Sequence, residues 1–313
     1  MRPETICEEA DILRDRLYQQ CLSKKMKVLR TRRELTEYVA SQKAQHHSVG
    51  LVPTMGALHR GHLSLMDRAV AENDRVVASV FVNPTQFNDK KDLESYPRDE
   101  QADFALLEGA GVSAVFAPSV EEIYPPEEAS RPAPVFDLGA VAEVMEGKYR
   151  PGHFQGVARI VSLLMRLASP DRAYFGEKDF QQIAVIRRMA VTEGLDSIDI
   201  VACPILREED GLALSSRNVR LTPEQRKTAP GIHRVMAESV EYSRTHTPRE
   251  THDFVVERVN ALPECEVEYY SIVSSVSLQE VRDWNESEGV TGCITVYCGP
   301  VRLIDNIRYR DPK

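Results

Sequence analysis

Between Lys27 and about Pro204, short apolar runs alternate with longer amphipathic ones. Gly50–Thr54 is apolar and predicts a buried strand, whereas His62–Asn73 repeats Leu63, Leu65, Met66 and Ala69 along one helical stripe. The valine-rich run Arg75–Val82 predicts a strand, Asp99–Glu108 a helix stopped at Gly109, and Val112–Ala117 a further strand. Phe154–Leu167 and Asp179–Glu193 read as helices, the second following a short strand at Ala173–Phe175, and Ile198–Cys203 reads as another strand. Such alternation implies α/β architecture, a parallel sheet covered by helices on both faces. Tyr124–Pro134, rich in proline and acidic residues, reads as an exposed loop.

Beyond Pro204 the order changes. Thr222–Arg244, opened by Thr222-Pro-Glu, and Pro248–Leu262 predict helices. Strands follow at Val267–Ser274, Cys293–Tyr297 and Val301–Tyr309. The pattern divides the chain into an N-terminal extension (1–26), a larger α/β domain (27–205) and a smaller α+β domain (206–313). The extension is polar and helix-favouring, an amphipathic segment or a frayed arm.

Composition narrows the function. The chain has 313 residues, 42% hydrophobic and 28% charged, with a net charge of −9. That is the make-up of a globular protein and disfavours a broad nucleic-acid surface. No run reaches the roughly 18 apolar residues of a membrane span, and no apolar h-region marks a secretory signal. The expectation is a cytoplasmic protein whose six cysteines are reduced and structural, because none has CxxC or zinc spacing. Cys293 and Cys298 read as packing residues of one strand.

The chemistry collects just after the predicted strands, where ligands of such sheets bind. Gly50-Leu-Val-Pro-Thr-Met-Gly-Ala-Leu-His59-Arg-Gly-His62 runs from strand through a glycine turn into a helix start. His59 and His62 sit three apart, so either ring can meet a phosphate near the positive end of the helix dipole. Gly56 and Gly61 permit close approach of backbone and nucleotide. In Phe81-Val-Asn83-Pro-Thr-Gln86, the asparagine reads equally as a turn cap or a cleft residue. Tyr174-Phe-Gly176-Glu-Lys178-Asp179-Phe-Gln-Gln182 repeats the strand–turn–helix arrangement. Asp179 is a natural helix cap. Lys178 opposes the helix dipole and so implies an anion. Arg207 to Asn218 holds Ser215, Ser216 and Arg217 in a glycine-containing loop, read either as a phosphate clamp or as plain surface.

Together these segments closely resemble the pantoate–β-alanine ligase (pantothenate synthetase) family of HIGH-motif nucleotidyltransferases. The resemblance spans about Lys27 to Arg308. It rests on Val52-Pro-Thr-Met-Gly-Ala-Leu-His-Arg-Gly-His62, Phe81-Val-Asn-Pro-Thr-Gln-Phe87, Tyr96-Pro-Arg98, Gly152-His-Phe-Gln-Gly156, Phe175-Gly-Glu-Lys-Asp-Phe-Gln-Gln182, Asp210-Gly-Leu-Ala-Leu-Ser-Ser-Arg-Asn218 and Leu303-Ile-Asp-Asn306. It implies a Rossmann-like doubly wound sheet and ATP-dependent joining of pantoate to β-alanine through pantoyl adenylate. By the same resemblance, ATP would lie on Met55, Gly56, Ala57, Leu58, His59, Arg60, Gly61, His62, Gly176, Glu177, Lys178, Asp179, Leu206, Leu214, Ser215, Ser216 and Arg217. His62, His59, Lys178 and Arg217 would carry catalysis, and Gln86, Gln182 and Asn83 would meet pantoate or β-alanine. Magnesium would come mainly with the ATP phosphates, with Asp103 as the side chain that fits a metal position. Small-molecule substrates, no nucleic acid, no membrane and a homodimer complete the expectation. Leu303-Ile-Asp-Asn306 reads as closing the small C-terminal sheet. Departures are Arg60 where the family often has an acid, Leu214 for Met, and Ala102 beside Asp103.

Overall fold

The computed structural model describes residues 25–128 and 132–311. Nearly all of the expected N-terminal extension, Cys7, Cys21 and part of the Tyr124–Pro134 loop lie outside the described residues. Periodicity does not single out the first two elements, β1 (Lys27–Leu29) and α1 (Arg32–Lys43). Helix α1 is opened by a capping box in which Thr31 and Glu34 satisfy each other's backbone N–H groups. Next come β2 (Val49–Thr54), α2 (Arg60–Glu72), β3 (Arg75–Val80), the short α3 (Lys90–Glu94), α4 (Glu100–Gly109) and β4 (Ala114–Phe116). Helices α5 (Val120–Ile123) and α6 (Glu146–Tyr149) are single turns; α7 (His153–Ala168), β5 (Arg172–Gly176), α8 (Phe180–Thr192) and β6 (Asp199–Cys203) finish this part.

The six strands form one parallel sheet in the order β1-β4-β3-β2-β5-β6. Side chains alternate across it: Leu51, Val77 and Phe116 enter the core under α1, α7 and α8, while Val52, Ala78 and Val115 enter the core under α2 and α4. Both faces are therefore apolar, which explains why the strands read as continuous hydrophobic runs. Chain order reverses between β2 and β5, so this sheet has its topological switch point there.

The C-terminal part packs α9 (Pro223–Thr228), α10 (Pro230–Tyr242) and α11 (Pro248–Asn260) on an antiparallel sheet of β7 (Cys265–Ser274), β8 (Val290–Cys298) and β9 (Val301–Arg310). The single helix expected over Thr222–Arg244 is two. Pro230 lacks an N–H and its ring would meet the carbonyl four residues earlier, so the chain restarts with Pro230 at the first helical position. Cys265 and Cys298 face each other across β7 and β8 as free thiols, with sulfurs 3.9 Å apart.

Candidate active site

Strand β2 delivers the histidine turn to the switch point. Gly56 and Ala57 take left-handed backbone angles (φ 80° and 50°), which turns the chain sharply after Met55. The turn is fixed from behind by Asp103 on α4, whose two carboxylate oxygens accept the Ala57 and Leu58 N–H groups at 2.9 and 2.7 Å. A Cβ on Gly56 would lie 2.7 Å from that carboxylate. Asp103, the side chain expected at a metal position, is thus engaged by the backbone of the turn. It is a buried loop anchor that does not line the cleft, and among the described residues no cluster of three or more His, Cys, Asp or Glu could hold a metal.

His59 is the N-cap of α2 and His62 its third residue. Their Nδ1 atoms accept backbone N–H bonds, His59 from Gly61 at 3.1 Å and His62 from His59 at 3.4 Å. These contacts assign the ring proton of each neutral imidazole to Nε2. The ring centroids are 4.1 Å apart. Burial, then the Lys178 charge, lowers His59 to about 4; burial, the other ring and Lys178 lower His62 to about 3. At neutral pH the pair is uncharged: two N–H donors beside a helix N-terminus.

The turn after β5 stands next to it. Lys178 Nζ lies 3.6 Å from Asp179 Oδ2. Asp179 heads α8 but makes no side-chain cap bond, which corrects the capping expectation; its carboxylate is drawn to the lysine instead. The backbone of this turn is held from the other sheet, for Asn306 donates to the Glu177 and Lys178 carbonyls. The Leu303–Asn306 run thus reaches beyond closing its own sheet.

After β3, the Pro84–Gln86 turn presents Gln86. Asn83 is 1% exposed and fully engaged. Its oxygen accepts from the Thr85 N–H and hydroxyl and from the Tyr124 hydroxyl, while its nitrogen donates to Gln86 Oε1 at 3.0 Å and to the Gly156 carbonyl at 3.1 Å. It caps the turn and orients Gln86. The Gln86 carbonyl accepts from His153 Nδ1 at 2.8 Å and Arg150 Nη2 at 3.4 Å. Burial and Arg150 lower His153 to about 4, so it too is neutral, with Nε2 accepting from Arg150.

The fourth wall is the loop after β6. Arg207 forks onto Asp305 of β9 at 2.7 and 2.8 Å, and Leu214 N–H bonds the Leu206 carbonyl. Ser216 Oγ donates to the Ala57 carbonyl at 3.2 Å, tying this loop to the histidine turn. Arg217 reaches Asp92 on α3.

One cleft is lined by Met55, His59, Gly61, His62, Asn83, Gln86, Gly176, Lys178, Asp179, Gln182, Leu206, Leu214, Ser215, Ser216 and Arg217. Besides Asp103, five expected residues lie off it. Gly56, Ala57 and Leu58 shape the turn from behind, Arg60 extends to Glu208 at 2.6 Å, and Glu177 pairs with Arg308 at 3.1 Å. Arg150, His153 and Tyr96 line the cleft without having been singled out as site residues. An arginine and a histidine flanking a Pro-Gly turn at a helix start were the available signal. None of the four described cysteines lines the cleft.

Comparison with known proteins gives a consistent result. The family described as pantoate-beta-alanine ligase matches residues 27–308. A pantothenate synthetase of Porphyromonas gingivalis is 59% identical over 91% of this chain and 100% of its own, and one of Bacteroides fragilis is 53% identical over the same shares. A crystal structure of pantothenate synthetase from Thermus thermophilus superposes with a TM-score of 0.84 at 44% identity, covering 91% of this chain and 100% of that one. The pantoate-beta-alanine ligase of Francisella tularensis, crystallised with beta-gamma ATP and beta-alanine, gives 0.74 at 32% identity over 92% and 100%.

Proposed function

The chain belongs to the pantoate–β-alanine ligase family, and from that premise we propose that it joins (R)-pantoate to β-alanine, converting ATP to AMP and pyrophosphate and supplying the pantothenate from which coenzyme A is built. A carboxylate and an amine do not condense at neutral pH, so the acid must first become a mixed anhydride. In the first step a pantoate carboxylate oxygen bonds the α-phosphorus and the bond to the β-phosphate bridging oxygen breaks, releasing pyrophosphate. In the second the uncharged amine of β-alanine attacks the acyl carbonyl and AMP leaves.

Phosphoryl chemistry of this kind needs alignment and charge stabilisation more than a protein nucleophile. Lys178 and Arg217 supply charge. His59 and His62, held neutral with Nε2–H available, supply directed donors that keep their proton as charge shifts to the leaving group. Gln86 and Gln182 suit the pantoate end because neutral amides bind hydroxyl or carboxylate without quenching the nucleophile. Asp103 is committed to backbone N–H groups, so the side chains present do not fit a protein-held magnesium ion; magnesium enters as the counter-ion of ATP.

The observation carrying this reading is the meeting, at one switch point, of the turns after β2 and β5 with the Ser215–Arg217 loop. Its test is pantoate-dependent pyrophosphate release from ATP without β-alanine, followed by AMP and pantothenate once β-alanine is added. His62→Ala and Lys178→Ala are each expected to slow the first step by roughly 10²-fold. Parent protein that releases no pyrophosphate with pantoate ends the proposal. A cytoplasmic homodimer belongs to the same reading and is checked by a solution mass twice the chain's 35.3 kDa.

A further inference from the structure

Asp92 does not line the cleft, yet it holds a residue that does. It sits on α3, the segment between Gln86 and Tyr96, and its two oxygens face two different arginines of the clamp loop. Oδ2 lies 2.8 Å from Arg217 Nη2, and Oδ1 lies 2.9 Å from Arg220 Nη1. The three side chains are 24% to 34% exposed, so the carboxylate is sheltered enough that leaving it unpaired is costly. Arg220 solves that problem. It does not line the cleft and keeps Asp92 paired if Arg217 turns away. The arrangement is a shared counter-ion with one partner at the cleft and one away from it.

We propose that Asp92 is a positioning residue for Arg217, competing with the ATP polyphosphate for its guanidinium, and that Arg220 tunes this competition by taking part of the carboxylate's charge. The inference rests on the clamp role given to Arg217 above. Asp92 touches no reacting atom; it sets how readily the arginine leaves for the phosphates and so how tightly they are held. A bidentate-capable guanidinium gains more from a polyphosphate than from one shared carboxylate oxygen, so the exchange runs towards the nucleotide when ATP is present.

The experiment is calorimetric titration of the full chain with inorganic tripolyphosphate and with AMP, pantoate being absent. Asp92→Asn should bind tripolyphosphate roughly two- to fivefold more tightly than the parent, the range of a partly exposed ion pair, with AMP affinity unchanged. In an Arg217→Met background the same substitution should have no effect, which isolates the pair from a general change in field. Arg220→Gln should act oppositely, weakening tripolyphosphate binding in the parent but not in the Arg217→Met background, and weakening that survives loss of Arg217 overturns the proposal. This second variant tests the idea even if Asp92→Asn folds poorly. Equal or weaker binding by Asp92→Asn overturns the proposal, and so does tightening that survives loss of Arg217. Because polyphosphate binding is read without pantoate, a failure of the ligase assignment shows separately, as absent pyrophosphate release.

Discussion

Asn306 donates its side-chain amide to the backbone carbonyl of Lys178 at 3.2 Å, and to that of Glu177 at 2.8 Å. A residue of the C-terminal sheet therefore fixes where the cleft lysine leaves the main chain. Asn306→Ala removes both of these bonds and frees the turn from the C-terminal sheet. The expected result is a fall in the rate of pantoate-dependent pyrophosphate release of about tenfold or more, since small misplacements of a charge-stabilising group are costly. A variant that melts earlier but turns over at the parental rate would show that Asn306 only supports the fold.

Gly156 on α7 lies against the turn that carries Gln86. A Cβ there would stand 2.3 Å from the Thr85 carbonyl oxygen and 2.8 Å from the Gln86 Cα. Gly156→Ala must push the Pro84–Gln86 turn away. We expect overpacking of roughly 1–3 kcal/mol in thermal unfolding and a raised KM for pantoate with little change for ATP. An ATP KM that rises equally would contradict the separation of the two ends of the cleft.

The three cleft imidazoles should be silent near neutrality. His59, His62 and His153 are held at about 4, 3 and 4, below the ordinary 6.5, so the folded chain binds fewer protons than the unfolded one between those values. Stability from these groups is present above pH 6.5 and is lost as pH falls towards 4 for His59 and His153 and towards 3 for His62. Proton-detected titration of the imidazole signals, without nucleotide, should show three rings that stay neutral from pH 8 to pH 5. A cleft histidine titrating near 6.5 would remove the neutral-donor role.

Glu146 joins the two parts of the molecule. Its carboxylate accepts from Arg302 at 2.7 and 2.9 Å, Tyr269 at 2.8 Å and Thr295 at 3.1 Å, and pairs with Arg150 at 3.3 Å. Burial opposes its ionisation, but the Arg302 fork, the Arg150 charge and the Tyr269 hydroxyl together outweigh burial and hold it at about 2, below the ordinary 4.5. The folded pKa is depressed, so this contribution is complete above pH 4.5 and disappears as pH falls towards 2. Glu146→Gln should cost roughly 3 kcal/mol at pH 7, as expected for breaking one partner of a buried pair. It should also flatten the acid limb of the stability curve measured by denaturant unfolding. An unchanged acid limb would place the titrating group elsewhere.

Much of this was legible in the chain. The alternation of apolar runs predicted the parallel sheet and its two helical faces, because a strand buried on both sides has to be apolar throughout. The turns carrying His59, His62, Lys178 and Gln86 were visible because each follows such a run. What misled was local reasoning about polar side chains. Asp179 had the right residue type for a cap but sits beside Lys178. Asp103, expected at a metal position, holds the Ala57 and Leu58 N–H groups of the histidine turn, a contact its local sequence does not show. In both cases the decisive partner is distant in sequence or is chosen by geometry that composition does not encode.

By itself, the sequence determined the family, the α/β plan and the residue types that gather at the switch point, because strand pairing and turn chemistry are written locally. Only the tertiary structure decided that Asn306 anchors Lys178, that Glu146 holds Arg302, that the imidazoles of His59 and His62 are neutral beside Lys178 and that Arg217 rests on Asp92. Those depend on burial and on charges brought within hydrogen-bond reach across tens to more than a hundred residues, and electrostatic interaction is set by distance in space and by exclusion of water, not by position along the chain.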